Sequence, residues 1–450
     1  MIRENIIDNI AKSAEEAANR GEQNKLYMLS KKISNSSMRG NRPVKSKEGH
    51  VITSEKEQLE RWKEHFEEIL NAKDPPVLAD IHPSDVVDMN IEPPTIEEII
   101  KSIKALSNGK APGIDNIQAE LLKTDVGTIA KVFCHLFTKI WNREEIPTDW
   151  QKGIIIKLSK KGNLEECENW RGITLLSVPG KVLCRIIINR IKDAIDNILR
   201  KEQAGFRRGR GCINQIFILR NIIEQCIEWN SPLFINFIDF RRAFDTIHRE
   251  TLKKIMANYG IPGKIIRMVQ AFYDNFSCVV EHEGKHSEWF HIKSGVRQGC
   301  VMSGFLFLLV IDWTMKQTTQ KKRGINWGRL QVLEDLDFAD DIALLSATRT
   351  QLQAKTDDIQ KIAKTTGLEI NKKKSKIMCV KANNIQPITL NNEEIEIVDS
   401  FTYLGSVIDT NDNATADIRN RIKKARAAYY KLRKIWTSNQ YSRKHQNENL

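Results

Sequence analysis

The sequence predicts an α+β fold, in which strands pair at short range as well as around helices. Three observations lead there. Between residues 231 and 346 strand-favouring runs lie close enough to pair directly, Leu336 to Ala339 being followed almost at once by Ile342 to Ser346. Helical segments such as Lys181 to Ile198 and Cys212 to Trp229 interleave with strands to about residue 380. At 450 residues the chain can bury a sizeable core and divide into two or three domains.

The elements follow in order. Residues 1 to 35 carry a polar helical pattern, and Ser36 to Gly49 reads as a connector. Thr53 to Asn71 reads as an amphipathic helix with Leu59, Trp62, Phe66, Ile69 and Leu70 on one face. Asp74 to Pro94, with Pro75-Pro76, Pro83 and Pro93-Pro94, is a linker or an extended arm. Thr95 then caps a helix, with Glu98 as its capping-box partner. A turn-rich stretch follows from Ser107 to Asp115, and Ile154-Ile155-Ile156 is a strand. Asp357-Asp358 is read as the opening of a surface helix, where acids favour the dipole. Ile418 to Trp436 is a basic amphipathic helix without an acid, suited to a phosphate backbone, a membrane surface or a calmodulin-type partner. The expected division is 1–94 for a helical extension and linker, 95–410 for the main body and 411–450 for the basic end.

The net charge of +13 favours a polyanionic partner, nucleic acid before an anionic membrane. The longest apolar stretch, Phe305 to Ile311, is far too short to span a bilayer, so no membrane partner is expected. The N-terminus has early acids and lacks the apolar core of a signal peptide. Eight scattered cysteines without a C-x-x-C pattern read as reduced thiols of an intracellular protein. His282, His286 and His291 read as exposed loop histidines rather than ligands.

Chemistry concentrates in Phe338-Ala339-Asp340-Asp341. Two adjacent carboxylates at the tip of a hydrophobic hairpin repel each other, and each needs solvent or a cation. They suit a hard divalent ion. Asp239 ends the run Leu233 to Ile238, which puts a third carboxylate at a strand tip; its other reading is a helix N-cap. Asp239, Asp340 and Asp341 together suit two ions ~4 Å apart. Lys160 and Arg171 flank a loop after the Ile154 strand, where cations reach a triphosphate. Gly299, beside Gln298, permits close backbone approach to a ligand. Gly205 to Gly211 is a flexible basic loop fit to track phosphates. Nucleotidyl transfer needs this combination of charge neutralisation and positioning.

In their order these segments resemble the reverse transcriptases of non-LTR (LINE-type) retrotransposons, from about Asn108 to Ile408. Asn108 to Asp115 looks like the leading block, Asn169 to Leu176 the fingers block, and Gln203-Ala204-Gly205-Phe206-Arg207 the short block after it. Phe237 to Asp245 looks like motif A, Ser294 to Cys300 motif B, Phe338 to Asp341 motif C, Gly367 to Lys376 motif D, and Phe401 to Gly405 the primer-grip segment. The resemblance implies a right hand: fingers, a palm with an antiparallel sheet and a partial helical thumb, preceded by a helical extension. It implies an RNA-directed DNA polymerase that adds dNTPs to a DNA primer on an RNA template, with two Mg²⁺ ions for which Mn²⁺ can substitute. Asp239, Asp340 and Asp341 match the metal-binding catalytic carboxylates, and the carbonyl of Phe240 an additional metal contact. Phe244 matches the steric gate against a 2′-hydroxyl, and Gln298 and Gly299 the dNTP and template contacts. Arg171 and Lys160 match the fingers cations. Lys374 matches the lysine proposed to protonate pyrophosphate, although Lys372 and Lys373 blur that choice. Asp245 is read as structural. Gly304 departs from the usual Pro and is expected to loosen the start of its helix. No endonuclease domain precedes the polymerase segments and the thumb looks cut short, so a nuclease supplied separately is the implied partner, in the nucleus or a cytoplasmic ribonucleoprotein. The alternative is an inactive, truncated module that only binds RNA.

Overall fold

The computed structural model describes residues 43–160, 162–328, 331–382, 386–411 and 414–431, with residues 12, 13, 16, 17, 20 and 22 ahead of them. Most of the helical pattern expected over residues 1 to 35, and the basic helix beyond Lys431, fall outside the described residues. Pro43–Gly405 with Thr410–Asp412 is one compact unit; Ser406–Asp409 and the helix Ala414–Lys431 belong to a second.

In the first unit the principal helices are α1 (Glu55–Leu70), α2 (Ile96–Lys104), α3 (Val126–Arg143), α4 (Val178–Ile195), α5 (Cys212–Glu228), α6 (Ser303–Thr318) and α7 (Arg349–Thr365). The principal strands are β1 (Lys152–Ser159), β2 (Trp170–Leu175), β3 (Leu233–Ile238), β4 (Ser277–His282), β5 (Asp335–Phe338), β6 (Asp341–Ser346) and β7 (Lys376–Val380). One sheet runs β5-β6-β3-β7 with every neighbour antiparallel. A second is built on β2-β1-β4, in which β1 and β2 are antiparallel while β1 and β4 are parallel. The α+β expectation therefore stands.

All six residues of β3 are buried, as expected of a central strand covered on both faces. On one face Phe237 stacks on Phe401 at 4.2 Å, and Tyr403 sends its hydroxyl to the carbonyl of Leu336 at 2.9 Å. Helix α6 is apolar nearly all round and has no exposed residue between Phe305 and Met315. Such a helix can only sit in a core. It begins at Ser303, and at Gly304 a Cβ would come within 2.7 Å of the Phe206 ring.

Helix α1 lays Trp62 and Phe66 into a cluster with Ile155 and Cys278 of the second sheet. Thr95 and Glu98 form the expected reciprocal capping box, and Glu98 also takes both Nε and Nη2 of Arg190. The proline-rich stretch is an extended arm strapped along the body: Val87 N–H reaches Gly260 O at 2.9 Å, and the Trp141 indole reaches Ile91 O at 2.7 Å. Two expectations need correction. Val44–Lys45, inside the presumed connector, pairs with Val51–Ile52 just beyond it. Asp357 and Asp358 lie mid-helix in α7, which opens at Arg349 under a Thr348 cap; Asp358 instead pairs with Arg323.

In the second unit, α8 (Ala414–Lys431) is held at its start by Asp417, which accepts the Val407 N–H at 2.9 Å and pairs with Arg421 at 2.8 Å. Ile418, Ile422 and Tyr429, the predicted apolar side, are exposed.

Candidate active site

The register of the first sheet brings the acids together. Ile342 of β6 faces Ile238 of β3, and one further step along that register sets Asp341 opposite Asp239. Phe338 pairs with Asp341, leaving Ala339 and Asp340 as a two-residue turn. Ala339 has φ +58, where glycine is the usual residue of such turns. The three carboxylates thus occupy one end of two adjacent strands.

Their electrostatics are those of crowded, poorly solvated carboxylates. Loss of solvation, then the charges of Asp340 and Asp239, pushes the Asp341 carboxyl up to about 6, although the residue itself is exposed. Burial raises Asp340, reinforced by Asp239, and burial raises Asp239. Oδ2 of Asp239 is buried without a hydrogen bond, its near cation being Lys374 Nζ at 3.5 Å. An all-carboxylate donor set with an unsatisfied oxygen fits a hard divalent ion. Among the described residues, no three His, Cys, Asp or Glu groups stand close enough to hold an ion as they are.

Cations surround the acids. Arg171 on β2 and Lys374 both lower Asp340 by their charge. Lys160 follows β1 directly; burial and then the charges of Arg171, Lys374 and Arg242 depress its ammonium. The cluster therefore includes Arg242, which the sequence reading passed over. Its signal was the Arg241-Arg242 pair immediately after Asp239-Phe240, and it adopts φ +48 at the start of the short helix Ala243–Thr246. Of the neighbouring lysines, Lys372 pairs with Glu393 and Lys376 with Glu396, while Lys374 Nζ lies 3.5 Å from Asp239.

The expected gate and pocket residues are each held by contacts of their own. Phe240 is buried and bridges to Ile370. Phe244 stacks on Phe307 at 4.3 Å and accepts the Val296 N–H on its carbonyl, tying motif A to motif B. Gly299 lies flush on the second sheet, where a Cβ would meet Thr174 O at 2.3 Å; its neighbour Gln298 accepts the Thr174 N–H. Asp245, read as structural, is buried. Its Oδ1 accepts the Gln298 amide at 2.7 Å, and burial pushes its carboxyl up to about 6.

The loop read as flexible and phosphate-tracking is neither along its first half. Arg207 is buried, giving its guanidinium to Asp196 and to the carbonyls of Arg200 and Gln203. Arg208 remains exposed. Of the three histidines, His282 is half-buried and bonds Lys157 and Gln58, whereas His286 and His291 are exposed on short strands.

Residues 158–408 match the family described as reverse transcriptase (RNA-dependent DNA polymerase). The chain belongs to the reverse transcriptase family. It is similar to the probable RNA-directed DNA polymerase from transposon BS of Drosophila melanogaster, 26% identical over 82% of this chain and 42% of that protein. It is similar also to that from the X-element of the same organism, 27% identical over 77% and 39%. A third relative is the retrovirus-related Pol polyprotein from the type-1 retrotransposable element R2 of Popillia japonica, 26% identical over 72% and 46%. The chain spans less than half the length of each of these relatives. The resemblance to non-LTR retrotransposon reverse transcriptases is thereby established. Apo telomerase from Candida tropicalis aligns with TM-score 0.42 and 15% identity over 62% of this chain and 59% of that one. Reverse transcriptases depend on a divalent metal and work on a nucleic-acid template and primer. No helix among the described residues is long and apolar enough to cross a membrane.

Proposed function

We propose that this chain is an RNA-directed DNA polymerase that adds dNTPs to a DNA 3′-end on an RNA template, with Mg²⁺ held by Asp239, Asp340 and Asp341. The observation that carries the reading is the meeting of three carboxylates at two adjacent strand ends, faced by Arg171 and Lys374. When bound, two ions supply a lowered 3′-hydroxyl pKa and charge neutralisation on the leaving group. The chain's own residues do the rest. Arg171, Lys160 and Arg242 offer positive charge to the triphosphate, which enters the active site as a polyanion. Phe244, braced by Phe307, is the gate in this reading, its ring excluding a ribose 2′-oxygen. Gln298, its amide oriented by Asp245, presents a fixed polar edge to the incoming nucleotide. Lys374 is near enough to the acids to deliver a proton to departing pyrophosphate.

Incubation with a primed RNA template, dNTPs and Mg²⁺ tests the reading. Extension that requires Mg²⁺ and fails with rNTPs supports it. Salt-sensitive RNA binding without extension would make the chain a binding module instead.

A further inference from the structure

We propose that Gln203 is the positioning residue of the Asp340–Asp341 turn, holding it in the conformation that receives metal; the inference rests on the polymerase reading above. Gln203 is completely buried. Its Oε1 accepts two backbone N–H groups, that of Ala339 at 2.9 Å and that of Gly205 at 2.8 Å. Ala339 is the turn residue with φ +58, a conformation that a side chain bearing Cβ disfavours and that surroundings must impose.

The surroundings do impose it. A Cβ on Gly205 would come within 2.3 Å of Ala339 N, so the segment is pressed flat against the turn. Ala204 N–H bonds Asp337 O at 2.9 Å, and Asp337 N–H bonds Glu202 O at 3.3 Å, so the same segment pairs along β5. Gln215 Nε2 spans both segments, reaching Glu202 O at 2.7 Å and Asp337 O at 3.0 Å. Backbone pairing of this segment with β5 stops at Asp337; the Gln203 side chain carries the clamp on to Ala339, the residue before the acids, its Nε2 also reaching Ala339 O at 3.4 Å.

Gln203→Met keeps the volume but removes the acceptor. Gln203→Glu keeps an oxygen for both N–H groups and gives up the weaker 3.4 Å donation from Nε2 to Ala339 O. Gln203→Asn, one methylene shorter, keeps an amide but loses the reach. The assay is Mn²⁺ binding by electron paramagnetic resonance on the full chain, with melting temperature, RNA binding and single-nucleotide extension alongside. A turn displaced by ~1 Å should lower kcat by about 100-fold. Q203M and Q203N should therefore bind Mn²⁺ more weakly and lose kcat, with KM for dNTP and RNA affinity held, while Q203E recovers Mn²⁺ binding. Wild-type Mn²⁺ affinity in folded Q203M or Q203N, with only the melting temperature lowered, would leave Gln203 a packing residue and overturn the proposal. D340N/D341N is the control: if it too retains Mn²⁺, the metal-site reading itself falls.

Discussion

Replacing Asp341 with Asn should stabilise the metal-free protein while removing its chemistry. The Asp341 carboxyl stands at about 6 in the folded chain, against an ordinary value of 3.8. The folded state thus holds this proton more tightly than the unfolded state, so stability is lost as pH rises through 6 and regained below 3.8. Taken at face value the difference corresponds to about 3 kcal/mol at pH 8. Asp341 is exposed, so solvent screening leaves about 1 kcal/mol. In a chain of this size that is a rise in melting temperature of roughly 1–2 °C, by extension of the trend for smaller domains. The assay is thermal melting in EDTA at pH 8 and again near pH 5, where the gap between Asp341→Asn and wild type should shrink. Added Mg²⁺ should raise the wild type more than the variant, since a ligand stabilises the state that binds it. An Asn variant that melts lower than wild type in EDTA at pH 8, or that gains equally from Mg²⁺, would refute the reasoning.

Phe244→Val should cut discrimination against rNTPs by about 10- to 100-fold, measured as the ratio of kcat/KM for matched ribo- and deoxynucleotides. Arg171→Ala should raise KM for dNTP by roughly 10-fold or more, as loss of a charge-assisted contact does, with little effect on RNA affinity. Lys374→Ala should slow single-turnover incorporation and reduce its solvent isotope effect, whereas Lys372→Ala, which breaks only the pair with Glu393, should do neither. Equal effects of the two lysines would return the assignment to ambiguity.

The sequence made legible what depends on local pattern. A short apolar run ending in Asp239, and another starting after Asp340-Asp341, can be read from period and composition, and the sheet register then brings their ends together. The Thr95–Glu98 box was legible for the same reason: both partners sit within one helical turn. Long-range fastening was not. Nothing near Arg207 announces that its charge is taken by Asp196 and by backbone carbonyls, so a buried strut looked like a solvent-facing cation. Gln203, 136 residues from Ala339, carries no local signal of its acceptor role. The bond from Gln298 to Asp245, 53 residues apart, carries no local signal either. Asp357-Asp358 misled because adjacent acids resemble a helix start, while Thr348 had already provided one.

Single-nucleotide extension of a DNA primer on an RNA template, with Mg²⁺ and dNTPs, tests the central claim most directly when Asp340→Asn, Asp341→Asn is run beside the wild type. The carboxylate site predicts incorporation by the wild type and none by the double variant, with RNA affinity equal in both. Incorporation by the double variant at the wild-type rate would contradict it.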